Sequence, residues 1–504
     1  MRIKKTVCIL LIAAFTLTGD IANAIEETHS HGSEEEDLIL NHVVKIQDGS
    51  VLNIIDCVAY AFQNSPKIRR QKYNLDVAKS NLGVAKSAYF PVIGAGVGFN
   101  YQRNSDSIYY DKRYRDLPVV GVSVNKLVWD FGRTTANIKM EEFYKIGAEY
   151  EFMDSLCNTL FDIKAKYYSL LKAKALLNVA KNNMEINKNF VELAKKKNNK
   201  ADLTTAQLNY SESKIKYIEA ENTVNNARFD LSNAMYIESQ PNYDIENTPT
   251  FTYNDDYAYG KPAYVETKPF EPYAYPFKTE DALDIAYKNS PDLQVLISTK
   301  NAMEQALKYI QRSYMPSLNA GVGYNYNNTN FTHNNGLSVG VNLQSSTNLM
   351  ELKHSIKGAQ AQLNLADNEI DLFKRDLYYE VRRAFNNVDR AKKQVPTAKT
   401  EVEQSLENLT TVENKYKSNE LDYVALQDAR KDYIRALDSY IESVYNYNIA
   451  LIQVEMAMHY HLIDIHHKSE HAMHYHSAEL IEHLNKALEC NQKEVNKNNK
   501  KKRK

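Results

Sequence analysis

Two hydrophobic rhythms alternate along the chain. From Pro91 the period is two: Ile93, Ala95, Val97, Phe99 and Tyr101 share one face, and Gly94, Gly96, Gly98, Asn100 and Gln102 the other. A second run sets Val120, Val122 and Val124 against Gly121, Ser123 and Asn125. Farther on, Leu318, Ala320, Val322, Tyr324 and Tyr326 oppose Asn319, Gly321, Gly323, Asn325 and Asn327. Their neighbours Leu337, Val339, Val341 and Leu343 oppose Ser338, Gly340, Asn342 and Gln344. This alternation predicts four β-strands, each with an apolar and a polar face.

Aliphatic positions flanked by aromatics (Tyr89, Phe90, Tyr101, Trp129, Tyr324, Tyr326) suit strands of a transmembrane barrel, which need about 9–11 residues. They also suit a half-buried hairpin in a soluble domain. Single-chain bacterial barrels begin at about eight strands, and an open sheet edge in lipid leaves backbone groups unsatisfied. The barrel reading therefore requires several copies of the chain; three copies of four strands give twelve. The run Gly94-Ala95-Gly96-Val97-Gly98 lacks the strand-to-helix context of a phosphate loop, so its glycines read as strand positions facing a narrow lumen.

The other rhythm is helical. Ile146, Tyr150, Met153, Cys157, Leu160, Ile163, Tyr167 and Leu170 recur at three- and four-residue steps, with no glycine or proline between Gly147 and Pro241. They predict a coiled-coil helix from about Arg133 to Lys197, on the order of 100 Å long. Asn198-Asn199-Lys200-Ala201-Asp202 offers a turn, and a helix returns from Leu203 to Ile237. The plan repeats from about Leu352 to a turn at Lys417-Ser418-Asn419-Glu420-Leu421, then from Asp422 to about Met458. Pro396 predicts a kink in the outgoing helix. A soluble coiled coil would account for such helices alone, but not for the alternating strands.

The two halves are copies. Ala61 to Tyr101 matches Ala286 to Tyr326 without a gap, with 13 identities in 41 positions. The repeated segments include Asn64-Ser65-Pro66 with Asn289-Ser290-Pro291, Pro91 with Pro316, and Ala95-Gly96-Val97-Gly98 with Ala320-Gly321-Val322-Gly323.

The ends add context. Arg2, Lys4 and Lys5 precede an apolar run from Val7 to Leu17 and a small-residue site at Ala22-Asn23-Ala24, which predicts a signal peptide over 1–24 and export. The remaining organisation is an extension over 25–50, a first repeat over 51–240, a linker over 241–278, a second repeat over 279–460, and a tail over 461–504. The linker holds six of the 12 prolines and seven tyrosines and is expected to wrap the outside of the helices. Lys and Arg number 62 against 63 Asp and Glu, so no broad basic surface calls for nucleic acid. Cys57, Cys157 and Cys490 remain after cleavage. That odd count argues against a disulfide framework; a Cys57–Cys157 bridge is one reading and two buried thiols the other.

No nucleophile–base set, cofactor loop or closed catalytic metal motif stands out, so an enzyme is not expected. Histidines crowd the tail: His459, His461, His466, His467, His471, His474, His476 and His483. If helical, His467, His471 and His474 share a face that could hold zinc, copper or nickel. The alternative is a polar tail without metal; no cofactor is required by the rest of the chain.

Taken in order, the paired Ala-(Phe/Tyr)-x-Asn-Ser-Pro segments, Pro91 and Pro316, Leu127-Val128-Trp129-Asp130-Phe131-Gly132-Arg133, and Tyr416-Lys417-Ser418-Asn419-Glu420-Leu421 followed by Asp422 and Ala425-Leu426-Gln427-Asp428 resemble the TolC family of outer-membrane efflux proteins. The resemblance spans roughly Leu52 to Tyr460. It implies an α+β membrane protein: a TolC-like trimer with a shared twelve-stranded β-barrel and a long periplasmic α-helical barrel, two structural repeats per chain. It further implies passive passage of substrates in the outer membrane, within a tripartite efflux or type I secretion system. The partners would be outer-membrane lipid, further copies of the chain, a periplasmic adaptor and an inner-membrane pump or ABC transporter. By the same resemblance Asp428 and Tyr416 fall at a periplasmic gate. Asn199, Lys200, Ala201, Asn419, Glu420 and Leu421 fall at hairpin tips that dock the adaptor. Lys200 and Asn419 stand where the family usually has glycine, which puts those turns in question.

Overall fold

The computed structural model describes residues 46, 48–100, 117–197, 200–237, 243–246, 251–253, 264–266, 279–328, 333–346, 348–418, 420–459, 461–462 and 474–475. The signal peptide, His29 and His31, Tyr101, Cys490, the lysine-rich end and most of the linker lie outside them, as do Asn199, Asn419, His466, His467, His471, His476 and His483.

In chain order the elements are β1 (Val51–Leu52), α1 (Ile54–Asn64), α2 (Pro66–Ser87), β2 (Val92–Asn100), β3 (Leu117–Trp129), α3 (Arg133–Lys197) and α4 (Lys200–Ala234). Short strands β4 (Asp244–Ile245), β5 (Phe251–Tyr253) and β6 (Tyr264–Glu266) follow. The second half runs α5 (Thr279–Asn289), α6 (Pro291–Gln311), β7 (Ser317–Asn328), β8 (His333–Gln344), α7 (Leu349–Lys417) and α8 (Tyr423–Met458), and then β9 (His461–Leu462) and β10 (His474–Tyr475). Each half thus lays out two linked helices, a strand hairpin, a very long helix and a shorter return. Among the described residues no helix is long and apolar enough to cross a membrane.

The repeated Asn-Ser-Pro is a helix joint. Ser65 and Ser290 are fully buried, and their hydroxyls accept the amides of Ile68 and Leu293 at 3.3 Å. Pro66 and Pro291 take the first helical position, where a missing N–H costs nothing.

At 65 and 69 residues, α3 and α7 each run about 100 Å. The chain enters α3 through a sharp elbow, with Phe131 and Gly132 in the left-handed region at φ 57° and 81°. Asp130 caps it, its Oδ1 accepting from Gly132 N at 3.1 Å and its Oδ2 from Thr134 N at 2.6 Å. Arg312 from α6 donates to the Gly132 carbonyl at 2.8 Å, and a Cβ on Gly132 would lie 2.8 Å from that guanidinium. Glycine is needed there twice over. Asn348 caps α7, which continues through Pro396.

The helices pack by their apolar stripes: α3 against α4, α6 and α8, and α7 against α6 and α8. Val381, Val388, Tyr440, Val444, Leu451 and Val454 lie in one buried cluster. An ion pair ties α3 to α8 inside this core, Lys164 Nζ to Glu455 Oε2 at 2.7 Å, with side chains 6% and 0% exposed. Cys57 and Cys157 are buried thiols, not bridged to each other, and burial pushes both up to about 12. The start of the linker is pinned to the helices: β4 pairs in parallel with β1, Lys174 Nζ meets Asp244 at 2.7 Å, and buried Tyr243 bonds Ser232 at 2.9 Å.

Candidate functional site

Two regions carry the chemistry, the strand sheet and the paired helical turns. The sheet is antiparallel throughout, in the order β2-β3-β7-β8, so the hairpins of the two halves join along β3 and β7. Register aligns the apolar face across all four strands. One row is Ile93, Val124, Val322 and Val339; the next is Ala95, Val122, Tyr324 and Leu337. This face is bare: Val97 is 73% exposed, Val339 75% and Leu337 69%. Near the helices the sheet is edged by Trp129, in edge contact with Phe131 at 6.0 Å, and by exposed Tyr89 and Phe90. Lys126 is one row from this margin, where a long cationic side chain can reach headgroups.

The opposite face is mostly glycine, serine and asparagine, with Val92, Val119 and Leu127 among them. Its rows read Gly94, Ser123, Gly323, Ser338; then Gly96, Gly121, Asn325, Gly336; then Val92, Asn125, Gly321, Gly340. Outer edges of β2 and β8 have no strand neighbour among the described residues.

At the far end of the helices, the end of α3 lies beside the turn between α7 and α8. Phe190 of α3 stacks on Tyr423 of α8 at 5.6 Å between ring centroids, and Tyr416 of α7 packs on Tyr423 at 6.3 Å. Arg430, 5% exposed, lies over the Phe190 ring at 5.0 Å. Glu413 is equally buried; burial raises its carboxyl pKa, against the pull of Arg430 and Lys417. Asp422 starts α8 by accepting from Ala425 N at 3.0 Å. The structure therefore brings Tyr416 into an aromatic and ionic cluster and leaves Asp428 outside it, exposed on α8. The sequence reading missed Phe190, Glu413, Tyr423 and Arg430. The signal available was a charged residue recurring on each apolar stripe.

Two expectations change. Lys200 and Ala201 are not turn residues but the first residues of α4, because helical bonding resumes directly after position 199. Glu420 and Leu421 remain in the second turn. His474 lies in β10, paired antiparallel to β9 with His461 opposite Tyr475 and His474 opposite Leu462. At that residue the chain is extended, so the helical face proposed for His467, His471 and His474 does not form there; His461 and His474 fall on opposite faces of the ribbon. His459 ends α8 in a left-handed conformation, and burial lowers its imidazole to about 4. Among the described residues no group of His, Cys, Asp or Glu could hold a metal.

Away from both ends, a cavity of about 730 Å³ opens between α2, α3 and α8, lined by Lys67, Arg70, Asp154 and Asp162 among others. Burial, with Asp292 nearby, raises the Asp154 carboxyl to about 6.

A four-stranded sheet with an exposed apolar face, joined to helices of about 100 Å, is the layout of an outer-membrane channel. The chain belongs to the outer membrane efflux protein family, whose model matches residues 58–235 and 282–458. Its fold is similar to that of a membrane protein from Pseudomonas aeruginosa (TM-score 0.67, 13% identity, covering 86% of this chain and 99% of that one). It is similar too to the Campylobacter jejuni CmeC outer membrane channel (0.65, 14%, 86% and 93%) and to VceC from Vibrio cholerae (0.65, 12%, 80% and 95%). No curated protein sequence matches it significantly.

Proposed function

We propose that three copies of this chain form a passive exit duct: a shared twelve-stranded barrel in the outer membrane, continued by the long helices through the periplasm. The observation that carries this reading is the four-stranded sheet, exposed on its apolar face and, among the described residues, open at both edges. In lipid, open edges cost too much to persist. Four strands are too few to close, so other copies must supply the neighbours. Period-two strands explain how a chain whose described residues include no helix long and apolar enough to cross a membrane can enter a bilayer.

Cargo reaches such a duct from an inner-membrane pump or ABC transporter through an adaptor, within a tripartite efflux or type I secretion system. On this reading Lys200, Ala201, Glu420 and Leu421 lie at or beside the turns that meet the adaptor, and Asp428 and Tyr416 belong to the aperture. A ring of Asp428 carboxylates would favour cations there. Purified protein reconstituted in a planar bilayer should conduct, and Asp428→Asn should change cation block. Wild-type protein that inserts but carries no current would defeat the duct; identical records from the variant would remove Asp428 from the aperture.

A further inference from the structure

The polar face of the sheet is built by one device used four times. Each polar side chain leans across a glycine directly opposite on the neighbouring strand. Asn325 faces Gly121 and Asn125 faces Gly321 across the β3–β7 seam; Ser123 faces Gly94 across β2–β3; Ser338 faces Gly323 across β7–β8. A Cβ on Gly121 would lie 2.6 Å from Asn325 Oδ1, and one on Gly321 would collide with Asn125 Oδ1. On Gly94 and Gly323 it would lie 3.1 and 3.0 Å from the serine hydroxyls. The two amide–glycine pairs are related by a local twofold between the repeats, centred on the Ser123–Gly323 pair.

Two consequences follow from this packing. The amides rest on the wall where a methyl group would push them off it, and the glycines keep the surface low. In addition, the face is uncharged: across the described rows it shows amides, hydroxyls and glycine with a few aliphatics (Val92, Val119, Leu127), although a quarter of the chain is charged. The apolar face fixes which side is inward, since only the other can meet water in a barrel.

We propose that Asn125 and Asn325, with Ser123 and Ser338, are the cargo-facing residues of the barrel segment. They form a flat, neutral, hydrogen-bonding collar that passes polar solutes of either charge. This rests on the duct reading and deepens it. Three chains place three Asn325 amides in one ring and three Asn125 amides in another, with serine hydroxyls between. Neutral hydrogen-bonding groups exchange easily with a solute's water shell and give no sign preference, so this segment leaves charge discrimination to other parts of the duct.

The test places charge at one ring of the full-length trimer in planar bilayers under a salt gradient. Asn325→Asp should raise the cation-to-anion permeability ratio about twofold and Asn325→Lys should lower it about twofold, as a unit charge roughly 10 Å from a water-filled axis would. A second measurement needs no current. In a Cys490→Ser chain, Asn325→Cys in the membrane-inserted trimer should take up one impermeant methanethiosulfonate adduct per chain, read by intact mass. Charge variants indistinguishable from a conducting wild type, or a thiol labelled only after denaturation, would overturn the collar while leaving the duct intact. A wild-type trimer that carries no current would overturn the duct and the collar with it.

Discussion

The sheet and the helical hairpins solve opposite problems with the same residue types. In the helices, valine, leucine and tyrosine turn inward: Val381, Ile441 and Val454 are fully buried, and most charge is left outside, the Lys164–Glu455 pair, Glu413 and Arg430 excepted. In the sheet the same aliphatics turn outward, with Val97, Val339 and Val341 at 70% exposure or more, and the polar side chains take the opposite face. Neither arrangement is a defect. Aliphatic burial stabilises at about 25 cal/mol per Å² wherever water is excluded, and on the duct reading lipid does the excluding at the sheet. On that reading one chain carries two solvents in its hydrophobic pattern, and the reversal between them marks the membrane.

That contrast can be broken from either end. The largest single effect is expected in the helical core. Glu455→Ala leaves the Lys164 ammonium buried without its carboxylate and should cost about 3–5 kcal/mol, read as a fall in the thermal midpoint. Replacing both partners by Met and Leu should recover most of it. Next, Val322→Arg places a cation at the middle of the outward sheet face and should cost about 2–4 kcal/mol per chain, read as loss of assembled protein from the outer-membrane fraction. A Val322→Leu control should assemble normally. If Val322→Arg also assembled normally, the outward face would be wet.

Asp154→Asn tests the polar interior between α3 and α6. The folded carboxyl ionises at about 6 rather than 3.8, so the fold is strongest while that group is protonated and loses the contribution as pH rises from about 4 through 6. The variant should gain about 1–2 kcal/mol above pH 6, after allowance for its partial exposure. The gain should vanish below about pH 4; a gain independent of pH would mean that packing, not ionisation, is responsible. Smallest of all, Lys393→Ala removes an exposed pair with Asp389 at 2.6 Å and should change the midpoint by less than about 0.5 kcal/mol. Short distance alone is not stability.

How much of this was legible in the sequence follows from which interactions are local. Alternation at Ile93–Tyr101 and Leu337–Leu343 announced both sheet faces, and the stripe from Ile146 to Leu170 announced α3, because side-chain period is set by backbone geometry. Asn64-Ser65-Pro66 and its copy marked a joint whose capping bonds span three residues. The glycine–amide pairs were not legible, since Gly121 and Asn325 are 204 positions apart and meet only once the β3–β7 register is known. Register in glycine-rich strands is weakly specified by pattern alone. Likewise Phe190, Tyr423 and Arg430 join through tertiary packing of α3 on α8. His474 misled for another reason: steps of four and three histidines carry no apolar stripe to require a helix, and an extended ribbon accepts them equally well.

The central claim is that one chain supplies a third of a closed wall. The most direct measurement is the native mass of the protein extracted from outer membranes in gentle detergent. The account requires three chains per particle, with detergent bound around the sheet. A monomer that stays folded and soluble once the detergent is removed would contradict it.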